Sequence, residues 1–140
     1  MSAYADTSFL TSLYTPDANS AEAASRMQRV SLPLIVTPFG ELELVNALQL
    51  RVFRHELLAA KIRAAYAAFR QDVATGILVI RPMPDEVYAQ ARRLAQKWTR
   101  TFGTRTLEIV HVASALVLEA EAFLTFDERQ RRLARTVFRE

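Results

Sequence analysis

Short apolar runs alternate along the chain with longer segments in which apolar residues recur every three or four positions. A short apolar run is typical of a buried strand, and the longer spacing is typical of a helix with one buried face. Wholly apolar strands that are separated by helices predict a parallel sheet covered on both faces. The expected fold class is therefore α/β, with strands at residues 2–6, 34–36, 77–80 and 122–126 and a short last strand at 136–138.

Proline, glycine and capping residues bound the predicted helices. Thr15 and Pro16 end a first helix, because proline removes a backbone donor and disfavours helix in the residue before it. Proline is tolerated in a first turn, so Pro38 opens another helix, and Gly76 and Gly103 are good helix ends. The other predicted helices cover residues 19–29, 56–75, 84–102, 107–120 and 127–135.

Composition narrows the class of protein and of metal site. A length of 140 residues suits one domain with a substantial core, so we expect a single domain over residues 1–140. Hydrophobic residues make up 51% of the chain and charged residues 24%, which is typical of a folded globular protein. There is no cysteine, which excludes disulfides and thiolate ligands. Any metal is therefore held by oxygen or imidazole, which favours Mg²⁺ or Mn²⁺.

Targeting signals are not evident in the sequence. Residues 2–14 carry no basic region before an apolar stretch, so they do not resemble a signal peptide. No apolar run approaches the roughly 18 residues that a membrane span needs. We therefore expect a cytoplasmic protein that does not contact membrane.

Positive charge is concentrated in arginine near the end of the chain. The formal net charge is +3, and five arginines fall in the last twelve residues, namely Arg129, Arg131, Arg132, Arg135 and Arg139. Guanidinium groups suit phosphate geometry, which points to nucleic acid as a partner. A solvated helix face is the alternative interpretation of the same arginines.

Two acidic residues directly follow predicted strands. Asp6 comes after the run Ala3–Ala5, and Asp127 ends the run at 122–126. An acid just past a buried strand lies at the carboxyl edge of a sheet, where open α/β folds place their chemistry. Glu43 and Glu108 lie on predicted helices that can present a carboxylate to the same edge.

Four segments that contain these acids occur in a recognisable order. The first is Asp6-Thr7-Ser8, and the second is the helix around Glu43, in which Asn46 follows three positions later. The third runs from Arg105 through Glu108 to His111, and the fourth is Phe123-Leu124-Thr125-Phe126-Asp127. Together they resemble the four acidic motifs of PIN-domain nucleases of the VapC toxin type, over essentially the whole chain.

The resemblance implies a three-layer α/β/α PIN-like domain with a short central parallel sheet. It implies a Mg²⁺- or Mn²⁺-dependent endoribonuclease whose catalytic residues and metal ligands are Asp6, Glu43, Glu108 and Asp127. Candidates for supporting these ligands are Thr7, Asn46, His111 and Thr125. The third acid of the family is usually aspartate, so Glu108 is a departure that lengthens the side chain by about 1.5 Å.

The partners implied by the resemblance are an RNA substrate, a cognate VapB-like antitoxin and a second copy of the chain in a homodimer. The predicted helices at 56–75 and 84–102 carry the apolar stripes that we expect to contribute to such association. A competing interpretation is a non-catalytic PIN-fold module that binds RNA or protein. Metal titration distinguishes the two.

Several candidate residues also have a purely structural interpretation. Asp6 is a good N-cap for the helix that follows it, and Thr7 and Thr125 suit caps and strand ends. His111 lies one turn from Glu108 and could orient it, but a buried, hydrogen-bonded histidine is the commoner role. Glu41 competes with Glu43 for the second acidic position, and we choose Glu43 because its spacing to the following asparagine matches the family.

Overall fold

The computed structural model describes residues 2–138, in which strands and helices alternate. The strands are β1 (Ala3–Ala5), β2 (Leu34–Val36), β3 (Leu78–Ile80) and β4 (Ala122–Leu124). The helices are α1 (Thr7–Tyr14), α2 (Ser20–Met27), α3 (Pro38–Phe53), α4 (Ala59–Ala74), α5 (Glu86–Phe102), α6 (Thr106–Val117) and α7 (Glu128–Arg135). The predicted order of elements is confirmed over these residues, apart from the last strand.

The strands form one parallel sheet in the order β3-β2-β1-β4 within the described residues. Tyr4 of β1 lies opposite Ile35 of β2 on one side and Phe123 of β4 on the other. Because β1 is an inner strand, Asp6 emerges from the middle of the carboxyl edge. The predicted α/β class with a parallel sheet is confirmed.

Helices cover both faces of the sheet, because successive strand residues point to opposite sides. Ala3 and Ala5 face a core that α1, α3 and α4 complete with side chains such as Phe9. Tyr4 and Ile35 face the other side, where α6 packs on the sheet and α5 and α7 pack on α6. The result is the expected three-layer α/β/α arrangement, with the residues after β1 and β4 between the layers.

Residues 136–138 do not form the predicted last strand. The backbone N–H of Thr136 donates to the carbonyl of Leu133, and those of Val137 and Phe138 donate to the carbonyl of Ala134. The chain therefore leaves α7 in a turn, and the β-branched and aromatic side chains that suggested a strand serve packing instead. Arg139, the last of the C-terminal arginines, lies outside the described residues.

Strand β4 is also shorter than predicted and ends at Leu124. The next two residues turn toward the carboxyl edge, where the hydroxyl of Thr125 donates to Asp6 and the N–H of Phe126 donates to the hydroxyl of Ser8 at 2.9 Å. Thr125 and Phe126 therefore form hydrogen bonds with side chains near the carboxyl edge instead of extending the backbone pairing of β4.

Large exposed apolar side chains lie on a third helix as well as in the two predicted ranges, where Leu58 is 74% exposed and Tyr88 is 58% exposed. Most stripe residues of α4 and α5 are covered, as Phe69 and Leu94 illustrate. On α3, Leu42 is 69% exposed and Phe53 is 78% exposed. The homodimer stays a prediction, and α3 offers a further surface for it. Within residues 2–138 no helix combines the length and apolar character needed to cross a bilayer.

Candidate active site at the carboxyl edge of the sheet

Asp6 follows β1 directly and is almost completely buried, with 1% of its surface exposed. Its Oδ1 accepts the backbone N–H of Phe9 at 2.9 Å and the hydroxyl of Ser8 at 2.7 Å. Its Oδ2 accepts the hydroxyl of Thr125. The carboxylate therefore caps α1 and ties that helix to the end of β4, so the capping interpretation and the site interpretation describe the same geometry.

Burial raises the pKa of Asp6 above its usual value, because the charged form is poorly solvated there. Hydrogen bonds from Thr125, Phe9 and Ser8, and the charge of His111, act in the opposite direction without cancelling the effect of burial. A buried carboxylate of this kind is stabilised by a nearby cation, since a compensating charge offsets the lost hydration.

Glu43 on α3 is held by a chain of hydrogen bonds that crosses to β1 through α6. His111 is 1% exposed, its Nε2 contacts Oε1 of Glu43, and its Nδ1 lies 2.7 Å from the hydroxyl of Tyr4. The carboxylate only accepts, so Nε2 carries a proton and donates to Glu43. Burial raises the pKa of Tyr4, so its hydroxyl stays protonated beside Nδ1 of His111. His111 is thus buried and hydrogen-bonded, and it orients Glu43 rather than Glu108.

The environment of Glu43 favours its ionised form. Burial alone would raise its pKa, but the hydrogen bond and the charge of His111, with the hydroxyl of Thr7 at 2.8 Å from Oε1, lower the pKa overall. The side chain remains 25% exposed. Glu43 therefore presents a stable negative charge to the solvent-accessible side of the carboxyl edge.

Glu108 folds back on the start of its own helix. Its Oε2 accepts the backbone N–H of Arg105 at 2.7 Å, which is the contact that a glutamate at the third helical position makes in a capping box. The additional methylene of glutamate lets the carboxylate reach that N–H. The departure from the usual aspartate therefore has a structural reason, and the half-buried side chain still borders the carboxyl edge.

Asp127 caps the last helix beside Asp6. Its Oδ1 accepts the backbone N–H of Gln130 at 2.8 Å, and its own N–H donates to Oγ1 of Thr125 at 2.9 Å. Since the same threonine hydroxyl donates to Asp6, one residue fixes the distance between the two strand-end acids.

One open cleft of about 940 Å³ brings the four predicted acids together, since Asp6, Glu43, Glu108 and Asp127 all line it. Two arginines line it as well, Arg54 after α3 and Arg105 before α6. The sequence interpretation placed phosphate-binding arginines at the end of the chain and missed these two. Arg105 stands in the third motif, three residues before its acid, and that position was the available signal.

Comparison with known proteins supplies a family for this arrangement. A sequence model of the PIN domain matches residues 3–136. The chain belongs to the PIN domain family. The predicted family is confirmed, and the matched segment includes every acid that lines the cleft. No match was found among curated protein sequences.

Solved structures share the fold of this PIN domain. One is a Mycobacterium tuberculosis protein described as VapC20, a toxin that cleaves the sarcin-ricin loop, with a TM-score of 0.72 and 17% identity over 99% of this chain and 97% of that one. Another is FitAcB from Neisseria gonorrhoeae, with a TM-score of 0.65 and 16% identity over 95% of this chain and 93% of that one. Likeness at this level of identity shows a common fold.

The supporting residues predicted for this PIN domain differ in where they lie. The hydroxyls of Thr7 and Thr125 contact Glu43 and Asp6, whereas Asn46 is exposed on α3. Glu41 turns away from the cleft, and its Oε2 accepts the hydroxyl of Tyr66 at 2.9 Å. Of the two neighbouring glutamates, Glu43 is the one that lines the cleft.

The donor set of the PIN domain fits Mg²⁺ or Mn²⁺ in kind, because carboxylate and hydroxyl oxygens line the cleft. As the side chains stand in residues 2–138, no three acidic or histidine groups converge closely enough to hold an ion. Glu43 is turned to His111 and Glu108 to its own helix. Both are partly exposed. A bound ion would require Glu108 to turn toward the fixed carboxylate of Asp6, whereas Glu43 could contribute Oε2, since His111 and Thr7 hold its Oε1.

Proposed function

We propose that this PIN domain is a Mg²⁺- or Mn²⁺-dependent endoribonuclease. The observation that carries the proposal is the presence of four carboxylates from four separate segments in one cleft at the carboxyl edge. A cation bound in this cleft would offset the cost of burying the Asp6 carboxylate, which is 1% exposed. The family match and the fold shared with a toxin described as cleaving the sarcin-ricin loop support RNA as the substrate class.

Asp6, Glu43, Glu108 and Asp127 would hold the metal. When bound, such an ion supplies Lewis-acid stabilisation of the charge that develops on the phosphodiester. The chain contributes the positioning, since Ser8 and Thr125 immobilise Asp6 and His111 orients Glu43.

The two arginines of the cleft would bind the substrate. Arg54 and Arg105 would contact RNA phosphates on either side of the cleaved bond, since guanidinium forks match phosphate oxygens. They lie on α3 and α6 boundaries, the same two helices that carry Glu43 and Glu108. The same pair of helices would thus position the substrate phosphates and two of the four metal ligands.

We further propose that the domain acts in the cytoplasm as the toxin of a type II toxin–antitoxin pair. It would associate as a homodimer and bind a cognate VapB-like antitoxin. The fold shared with VapC20 and FitAcB supports this assignment, and the exposed Leu42 and Phe53 of α3 supply apolar surface for association. Production of the chain without an antitoxin should then arrest bacterial growth.

Two neighbouring glutamates allow a matched test of the nuclease. Glu43→Gln should lower the rate of divalent-dependent RNA cleavage by at least about 100-fold, since even partners of metal ligands contribute roughly 10–100-fold. Glu41→Gln, on the same helix, should leave the rate unchanged, because that side chain contacts Tyr66 and Arg70 instead. Equal rates for the two variants would exclude the assignment.

A non-catalytic PIN module is the second candidate function. It is favoured by the self-satisfied side chains, since Glu108 caps its helix and Glu43 pairs with His111 without an ion. In that case the purified protein would bind RNA with an affinity that is independent of Mg²⁺ and would leave the RNA intact. Cleavage that appears only when divalent metal is added would exclude this candidate.

A further inference from the structure

A second depression lies along the open edge of the sheet, separate from the acidic cleft. It has a volume of about 530 Å³, and its floor consists of four consecutive residues, Ala122–Thr125. Helix α2 forms one wall and α7 the other. Within residues 2–138, β4 pairs only with β1, so the floor of this edge groove is the unpaired side of an edge strand. Unpaired N–H and C=O groups on such an edge are a template for another extended chain.

The walls of the edge groove are strongly basic. Arg26 of α2 and Arg29 of the turn after it lie on one wall, and Arg131 and Arg135 of α7 lie on the other, whereas Glu22 is the acid among the described lining residues. Glu22 pairs with Arg26 at 3.1 Å and with Arg29 at 3.7 Å. The side chain of Arg131 makes no hydrogen bond or ion pair with any residue from 2 to 138. At Arg131 the groove therefore carries a positive charge that no described acid offsets, above an apolar, strand-edge floor.

Protein and single-stranded RNA are the two kinds of polymer that such charge attracts, and the floor favours protein. Single-stranded RNA is held largely by bases that stack on exposed aromatic rings. Here Phe123 is already stacked on Tyr4 at 5.5 Å and on Phe138 at 6.1 Å. An extended peptide needs no free ring, because a strand edge supplies main-chain hydrogen bonds and alternate side chains enter flanking pockets.

We infer that the edge groove binds an extended, acidic peptide segment of a partner protein, which adds to the sheet beside β4. Main-chain pairing to residues 122–125 would align the segment, and its carboxylates would meet Arg29 on one wall and Arg131 on the other. This inference concerns a surface other than the acidic cleft, so it does not depend on nuclease activity.

Helix α7 offers a matched pair of arginines for the test. Arg131 lines the edge groove, whereas the adjacent Arg132 is 57% exposed and pairs with Glu128 at 3.4 Å. A library of random peptides displayed on phage would be selected on the full chain.

The selected peptides should carry Asp or Glu at alternate positions between apolar residues. Their affinity, measured by fluorescence anisotropy, should fall at least about ten-fold in an Arg29→Glu/Arg131→Glu variant, since one lost charge pair of about 1.4 kcal/mol gives that factor. Arg132→Glu should leave the affinity unchanged.

A second readout reports strand addition rather than charge alone. Hydrogen exchange of the backbone amides at 122–125 should slow when a selected peptide is bound, because paired edge amides are protected. Selection of peptides without acidic residues, or unchanged exchange at β4, would overturn the inference. It would also be overturned if uridine-rich RNA displaced the peptide and lost affinity in the same double variant, or if that variant dissociated a dimer of the wild-type chain.

Discussion

At the scale of single residues, three acids of the carboxyl edge have a structural role as helix caps beside the chemical role that we propose for them. Asp6 caps α1 and Asp127 caps α7, while Glu108 caps α6. Each cap uses only part of a carboxylate's capacity to accept, so the same oxygens can also face a cation. The overlap explains why a capping interpretation and a catalytic interpretation of these residues were both reasonable from the sequence.

Asp6→Asn should stabilise the metal-free protein while abolishing cleavage. The amide still accepts the N–H of Phe9 but carries no charge to desolvate, and a gain of about 1 kcal/mol would raise Tm by roughly 3 °C. Since burial raises the folded-state pKa of Asp6, its stabilising contribution is present at low pH and is lost as pH rises through that pKa. In the presence of a chelator, the excess stability of the variant should therefore grow as pH increases from about 4. Calorimetry at several pH values checks this, and a variant less stable than wild type at neutral pH would contradict it.

Glu108 can be separated into its two roles by the choice of substituent. Glu108→Gln keeps the oxygen that accepts from Arg105, so Tm should be nearly unchanged, but the loss of charge should weaken Mn²⁺ binding. Glu108→Ala should lose both, with a stability decrease of about 1 kcal/mol. Thermal denaturation and metal titration of the two variants provide the comparison. If Glu108→Gln binds Mn²⁺ as wild type does, Glu108 is a cap and not a ligand.

At the scale of elements, the site depends on how three segments are joined beneath the cleft. A series of hydrogen bonds from Tyr4 through His111 to Glu43 links β1, α6 and α3. Its members lie far apart in sequence, and only packing brings them into contact. A carboxylate oriented in this way is restricted in its rotamers before substrate arrives, which favours binding.

Tyr4→Phe tests this connection, and Tyr14→Phe is its control. Both remove a hydroxyl that forms a hydrogen bond, to His111 at 2.7 Å and to Asp72 at 2.6 Å respectively. Each should lower the free energy of unfolding by about 1–3 kcal/mol, measured with urea. Only Tyr4→Phe should also slow RNA cleavage, because only that variant releases the histidine that orients Glu43. A similar change in cleavage for both variants would remove the positioning role.

The order of strands and helices could be predicted from sequence because burial decides it. The apolar runs at 34–36 and 77–80 are buried only as strands of the sheet, the first inside it and the second at its edge. The run at 136–138 was misassigned, since β-branched and aromatic residues also pack in turns without pairing. Arg54 and the cap formed by Glu108 were not foreseen, because both depend on where a long side chain ends in three dimensions. The gathering of Asp6 and Asp127 at one edge, by contrast, follows from parallel strands alone.

At the scale of the whole molecule, apolar and basic surfaces are segregated around the sheet. Leu42 and Phe53 expose apolar area on α3, whereas the edge groove between α2 and α7 is arginine-rich. We propose that this apolar side of α3 is the surface through which the domain associates. The acidic cleft, the apolar helix and the basic groove thus give the domain three chemically different faces.

The homodimer should depend on α3. Sedimentation of the wild-type chain at micromolar concentration should give a dimer, and Phe53→Glu should give a monomer, because a buried unpaired carboxylate opposes association. Tyr88→Glu is the matched control, since Tyr88 on α5 is 58% exposed but lies on the opposite side of the sheet. A wild-type monomer, or a dimer that survives Phe53→Glu, would exclude this surface.

The central claim is that the four carboxylates at the carboxyl edge bind a divalent metal. Titration of Mn²⁺ followed by electron paramagnetic resonance measures free ion directly, because the signal of the hydrated ion decreases on binding. The wild-type chain should remove Mn²⁺ from solution with saturable stoichiometry, and both Asp6→Asn and Asp127→Asn should weaken that binding at least about ten-fold, or about 1.4 kcal/mol. A wild-type protein that leaves the free Mn²⁺ signal undiminished, or variants that bind as tightly as wild type, would contradict the account.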